Sequence, residues 1–266
     1  MNTNNSPNTS IGQHFLINPR ILNLIAAQVP ENSDIIELGA GQGQLTEKLV
    51  KAAKNITAIE IDDRFFESLD GLTRPFPKLK VHIGDILKFD FKYYPLPWIV
   101  GNIPYHITEP LLHKLVKQPI SGCILLVGDK FAYEATTVDP ESKYFGKLSF
   151  LVNTFFVPEV ISWVDRTEFN PPPRTKSALI RLTPRPASDY KSRGLFLARQ
   201  LFLTASHSPL VKNALTEALI KFQSSPLTKN EARKIIAEME LPDSILYTSF
   251  EHLNNQNYQT LCRLLK

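Results

Sequence analysis

The chain has 266 residues, 43% of them hydrophobic, enough for one full domain and a smaller companion, since domains usually run ~100–200 residues. Thirty Lys+Arg against 26 Asp+Glu leave a net charge of +4, a mild bias that tolerates a polyanionic partner without demanding one. Two cysteines exclude a disulfide framework and fit a reducing, cytoplasmic setting; neither they nor the histidines show metal-ligand spacing, so no metal is assigned.

The opening "MNTNNSPNTS" is polar and uncharged and reads as a disordered tail over 1–11, with no apolar stretch resembling a signal peptide. No later segment approaches the ~20 apolar residues of a membrane span. Short apolar runs then alternate with helix-like stretches, the pattern of βα units around a parallel sheet. Strands are expected at 34–38, 55–61, 79–83, 98–101 and 122–127. Helices are expected over 43–53, 63–70 and 108–117, the last with Thr108 as N-cap and Pro110 in its first turn. Two further runs, 148–156 (LSFLVNTFF) and 177–182 (SALIRL), are expected to pair antiparallel and bring the sheet to seven strands. After "RLTPRPASDYKSRG" the β-branched runs vanish, and helices are expected at 195–206, 209–223, 228–239 and 254–265, broken at Ser208-Pro209 and Pro226. The domains so defined are 12–185 and an all-α 186–266, with the boundary near Pro186.

The first strand runs into "ELGAGQG" (37–43), where Gly39 and Gly41 let the backbone approach a ligand and a helix amino terminus offers unpaired N–H groups. A dinucleotide fingerprint would need glycine at 44, where Gln44 stands. Glu60, followed by Ile61, ends the next strand about 20 residues on, as an acid that bonds ribose hydroxyls should. Alone, it reads equally as a solvated carboxylate. Asp85 and Ile86 follow the third strand, and "WIVGNIPYHIT" (98–108) closes the fourth by presenting Asn102, Ile103, Pro104 and Tyr105 in a row. Four successive strand ends thus place polar or glycine groups on one carboxyl edge, where ligands of parallel sheets bind.

In this order, "ELGAGQG", "EID", "GD" and "NIPY" resemble the S-adenosylmethionine-dependent methyltransferases of exocyclic amines. With "GQHFL" (12–16), "SKYFGKLSF" (142–150) and "FNPPPRTKSALIRL" (169–182), the chain is similar to the KsgA-type ribosomal RNA adenine dimethyltransferases over roughly 12–185. The resemblance implies a Rossmann-like seven-stranded α/β methyltransferase domain with a small helical carboxyl-terminal domain that binds RNA. It implies S-adenosylmethionine as cofactor, held by His14, Leu16, Gly39, Gly41, Glu60, Ile61, Asp85, Ile86 and Asn102. His14 stands where the family more often has asparagine. The implied partner is ribosomal RNA in a small-subunit assembly intermediate, with two adjacent adenosines of the 3′-terminal hairpin dimethylated by a cytoplasmic monomer that needs no membrane.

Adenine N6 is a poor nucleophile because its lone pair is delocalised into the ring. Acceptors at the Asn102 side-chain oxygen and the Ile103 carbonyl would make it more tetrahedral, Pro104 would stiffen the turn, and Tyr105 would stack on the base. Phe169 would close the opposite face or serve as a core ring. Rival readings are an erythromycin-resistance-type enzyme acting on a large-subunit adenosine, and a non-catalytic nucleic-acid-binding relative of the mitochondrial transcription factor kind. Between 174 and 193, Arg174, Lys176, Arg181, Arg185, Lys191 and Arg193 face the single acid Asp189, a basic strip suited to phosphates or simply a solvated face. In "ASHSPLVKNAL" (205–215) only Lys212, Asn213, Ala214 and Leu215 fit the arginine-rich helix usual in the family, and Lys212 joins the expected RNA contacts.

Overall fold

The computed structural model describes residues 7, 12–204, 210–222 and 227–265. The expected tail, apart from Pro7, and the expected breaks at Ser208-Pro209 and Pro226 lie outside the described residues, as does 205–209 of "ASHSPLVKNAL". The chain divides into two compact units, Met1–Ala132 with Pro158–Pro184, and Tyr133–Val157 with Arg185–Lys266. The expected boundary near Pro186 would leave 133–157 in the first domain, whereas these residues group with the carboxyl-terminal helices.

The first unit begins with β1 (Phe15–Leu16) and α1 (Pro19–Ala26). Asn18 caps α1 by accepting from the Arg20 amide at 2.8 Å, Pro19 sits at a first-turn position that needs no N–H, and Leu22 and Ile25 turn inward. There follow β2 (Ser33–Leu38), α2 (Thr46–Ala52), β3 (Ala53–Glu60), α3 (Phe66–Thr73), β4 (Leu79–Ile83), β5 (Trp98–Asn102), α4 (Thr108–Leu115) and β6 (Gly122–Gly128). Each expected strand and helix of this stretch is present. Thr108, expected as N-cap, is the first residue of α4 instead, after a 3₁₀ turn at Tyr105–Ile107. Next come α5 (Asp129–Thr136), α6 (Lys147–Phe155), β7 (Phe156–Val164), β8 (Phe169–Asn170) and β9 (Ser177–Pro184).

Among the described residues the main sheet has seven strands in the order β4-β3-β2-β5-β6-β9-β7. The pairs from β4 to β6 are parallel and β9 lies antiparallel on β6. Ile36, Leu38, Ile59, Val100 and Leu125 are wholly buried, as strands covered on both faces should be. The chain runs outward from β2 to β4, then returns to β5 on the other side of β2. That reversal between β2 and β5 opens a crevice at the carboxyl ends of the strands.

The expectation that 148–156 is a strand is corrected: 148–155 lies in α6, with Leu148, Phe150, Leu151, Val152 and Phe155 all buried, and only Phe156 is extended, as the first residue of β7. A short, mostly apolar run does not by itself distinguish a strand from a buried helix. The outer strand is β7, one step on, whose Pro158 lacks an N–H for a ladder and suits an edge.

In the second unit α6 is joined by α7 (Arg193–Thr204), α8 (Val211–Phe222), α9 (Lys229–Glu238), α10 (Asp243–Leu246) and α11 (Asn255–Leu264). Phe150, Phe202, Phe250 and Tyr258 meet in an aromatic cluster with centroids 4.9–6.4 Å apart. The short α10 and the 3₁₀ turn Phe250–His252 have too few residues to show a period in the sequence.

Candidate active site

At the crevice between β2 and β5, the turn after β2 holds Gly39, Gly41 and Gly43 at φ of 72°, 54° and 88°, backbone that side chains rarely adopt. A Cβ on Gly39 would come 3.4 Å from the Asn102 carbonyl, so the turn and the end of β5 lie against each other. Glu60, at the end of β3, is 4% exposed. Its Oε2 accepts from the Gly41 amide at 2.7 Å, and its Oε1 from the Ile61 and Asp62 amides at 3.0 Å each. Burial raises its pKa, and the Asp62, Gly41 and Ile61 amides oppose that rise. Three of the carboxylate's roughly four acceptor positions are therefore used, one to hold the glycine turn and two to hold the segment that follows β3, leaving about one for a ligand hydroxyl.

Asp85 caps its own turn by accepting from the Leu87 amide at 2.8 Å. From α4, Lys114 reaches across to the Leu87 carbonyl at 2.7 Å and lies 5.1 Å from the Phe91 ring. Burial lowers its pKa, against the pull of Asp90 and Asp85. Lys114 thus braces the segment Asp85–Leu87, a role no local signal in the sequence discloses.

The ribbon of β1 and β8 pairs Phe15 with Asn170 and Leu16 with Phe169, which lays "GQHFL" along "FNPPP". His14 Nδ1 bonds the Pro171 carbonyl at 2.8 Å, and the Asn102 side-chain amide donates to the His14 carbonyl at 2.9 Å. With its N–H₂ so engaged, Asn102 has its Oδ1 left as an acceptor. A cavity of about 300 Å³ lies here. His14, Leu16, Gly39, Gly41, Glu60, Ile61, Asp85, Ile86, Asn102, Ile103, Pro104 and Tyr105 all line it. Gln13, Gln44, Leu87 and His106 join them, none of which the sequence pattern had marked as a site residue.

Phe169 is not among the lining residues. Its ring is 2% exposed and belongs to the core cluster, since its place in β8 opposite Leu16 turns it inward. Glu37, the acid that opens the glycine motif, is also fully buried, and neither carboxyl oxygen has a hydrogen-bond partner. Burial pushes its pKa up to about 8, partly offset by the neighbouring Thr46 hydroxyl and reinforced by Glu60.

The basic residues fall on both units. Arg174 and Lys176 lie on the first, both exposed, with Lys176 3.6 Å from Asp165. Arg181 is tied to Gln28 at 2.7 Å and Glu159 at 3.3 Å. On the second unit Arg185 is spent internally on the Asn153 carbonyl and Asp189, while Lys191 and Arg193 are exposed. Lys212 lies 2.9 Å from the Tyr247 hydroxyl and 4.7 Å from that ring's centre. Among the described residues no group of three metal-ligating side chains is found, and no helix is long and apolar enough to cross a membrane.

The family model described as ribosomal RNA adenine dimethylase matches residues 4–219. The chain belongs to this family. Curated proteins of the same kind include the ribosomal RNA small subunit methyltransferase A of Bacillus mycoides and that of Bacillus thuringiensis, each 37% identical over 193 residues. Each match covers 66% of this chain and 64% of the relative, so the chain spans less than two thirds of those proteins. A dimethyladenosine transferase from Plasmodium falciparum superposes with a TM-score of 0.64 at 25% identity, covering 93% of this chain and 96% of that one. The 23S rRNA methyltransferase ErmE superposes at 0.62 and 21% identity, over 94% of this chain and 99% of its own, a likeness of fold.

Proposed function

We propose that this chain is a ribosomal RNA adenine-N6 dimethyltransferase that uses S-adenosylmethionine. The observation that carries the reading is the tether from the Asn102 amide to the His14 carbonyl, which leaves Oδ1 as an acceptor beside the glycine turn and Glu60. The cleft suits such a cofactor. Glu60 keeps about one acceptor position for a ribose hydroxyl, Asp85 can accept from an adenine amine, and Ile61 and Ile86 supply apolar surface for the ring. Bound there, the cofactor supplies an electrophilic methyl group.

The protein's own contribution is to present the amine. Asn102 Oδ1 and the Ile103 carbonyl accept the two N6 protons, which draws the nitrogen's lone pair out of the ring system and toward the methyl donor. Tyr105 stacks on a base taken out of its helix, and the few kcal/mol this costs fall for an unpaired target. No strong general base is required, because the alkylated nitrogen is acidic and releases its proton to water.

The relatives named for the small subunit, at 37% identity, support a small-subunit RNA substrate. The finer reading is two adjacent adenosines in its 3′-terminal hairpin, dimethylated by a cytoplasmic monomer during subunit assembly, with Arg174 and Lys176 on one unit and Lys191, Arg193 and Lys212 on the other as the phosphate contacts. Mass spectrometry of both ribosomal RNAs from cells with and without this protein tests it. Dimethyladenosine lost from the small-subunit RNA is the expected outcome. A loss confined to large-subunit RNA favours the resistance-type reading, and no loss favours the non-catalytic one.

A further inference from the structure

Tyr105 is held at two points by residues outside its own motif. Its hydroxyl lies 2.5 Å from the Ser177 hydroxyl, and Ser177, the first residue of β9, is wholly buried. The Cδ2 side of its ring rests on Gly128, the last residue of β6, where a Cβ would come 2.9 Å from Cδ2 and 3.3 Å from Cγ and Cε2. Gly128 and Ser177 are themselves register partners across the β6–β9 ladder. The hydroxyl contact and the ring contact therefore come from one rigid pair of strand ends, and the gap the ring fills exists because residue 128 has no side chain.

We propose that Ser177 and Gly128 form a seat that fixes the plane of the Tyr105 ring, making Ser177 a positioning residue for capture of the flipped-out base. The inference rests on the reading of Tyr105 as the stacking residue. A ring pinned only at Cβ rotates about χ1 and χ2, and a base stacking on it must first freeze that motion; a ring already bonded at its far end has lost it beforehand. The seat lies on the sheet rather than on the loop that carries "NIPY", so it keeps its geometry if that loop moves.

Single-turnover methyl transfer to saturating small-subunit particles from cells lacking the protein tests the proposal with Ser177→Ala, Tyr105→Phe and the double variant. Each single change removes the same hydrogen bond from opposite ends, so each should slow transfer by about 3–10-fold, the range of one neutral hydrogen bond, and the double variant should be no slower than either. Tyr105→Phe opens no hole in the core and guards against a folding defect in Ser177→Ala. A second reading comes from an RNA carrying 2-aminopurine at the adenosine the wild-type protein methylates, whose fluorescence falls on stacking. That quenching should weaken in both single variants. Wild-type rate and quenching in Ser177→Ala, or single effects that multiply in the double variant, would overturn the seat. Wild-type transfer by Tyr105→Ala would instead overturn the stacking reading on which it rests.

Discussion

Asn102 gathers the chemistry at the scale of single residues. Its N–H₂ is committed to the His14 carbonyl, so under the proposed function its oxygen would meet a substrate amine without having to choose an orientation first. In the proposed reaction that bond would strengthen as the amine becomes tetrahedral, which is stabilisation realised in the transition state. Asn102→Ala should lower the single-turnover rate by ~10²–10³-fold, the loss typical of one preorganised polar group, with little change in the affinity for cofactor or RNA. Methylation at the wild-type rate would sink this mechanism. Glu37 offers a separate test. Its carboxyl keeps its proton in the folded protein up to about pH 8, whereas in the unfolded chain it loses it above its ordinary value of 4.5. The folded state thus holds the extra proton between those values, and raising the pH through this window costs stability, by a few kcal/mol at most. Glu37→Gln lacks that term. Melting temperatures recorded at pH 5 and pH 8 should diverge more for the wild type than for the variant.

Elements are held by devices that local sequence states openly. At the start of α9, Thr228 accepts from the Glu231 amide while the Glu231 carboxylate accepts from the Thr228 amide at 2.7 Å, a reciprocal cap legible as T-x-x-E. Thr228→Ala should cost about 1 kcal/mol of stability in denaturant melts and leave cofactor affinity unchanged. A loss of cofactor binding would show that α9 influences the cleft. The failures of local reading share one cause. The run 148–156 mixes Ser149, Asn153 and Thr154 with six apolar residues, and with so few positions its pattern fits a short buried strand as well as α6. The adjoining β7 is interrupted by Pro158 and reads as a poor strand until its place at the sheet edge is known.

For the whole molecule, electrostatics with RNA is the quantity to measure. Lys191 and Arg193 are exposed cations of the second unit, whereas Arg185 is already engaged by Asp189 and the Asn153 carbonyl. Replacing Lys191 and Arg193 by glutamate should weaken RNA binding and flatten its dependence on salt, by about one unit of log–log slope for each phosphate contact removed. The same change at Arg185 should instead lower stability. A salt slope equal to wild type in the Lys191→Glu, Arg193→Glu protein would place RNA docking elsewhere.

The amino-acid sequence by itself determined the alternation of strands and helices, the glycine turn, and the position of Glu60, Asp85 and Asn102 at strand ends. These features follow from periods and punctuation within a dozen residues, and parallel strands necessarily bring their carboxyl ends to one edge. Tertiary structure alone decided what those residues touch. Only the β1–β8 pairing brings His14 to Pro171, 157 positions away, and turns Phe169 from a candidate stacking ring into a core side chain. Only the β6–β9 register sets Ser177 and Gly128 side by side under Tyr105. Such contacts depend on which strands become neighbours, and strand neighbours are chosen by burial over the whole sheet, a property no short stretch of sequence contains.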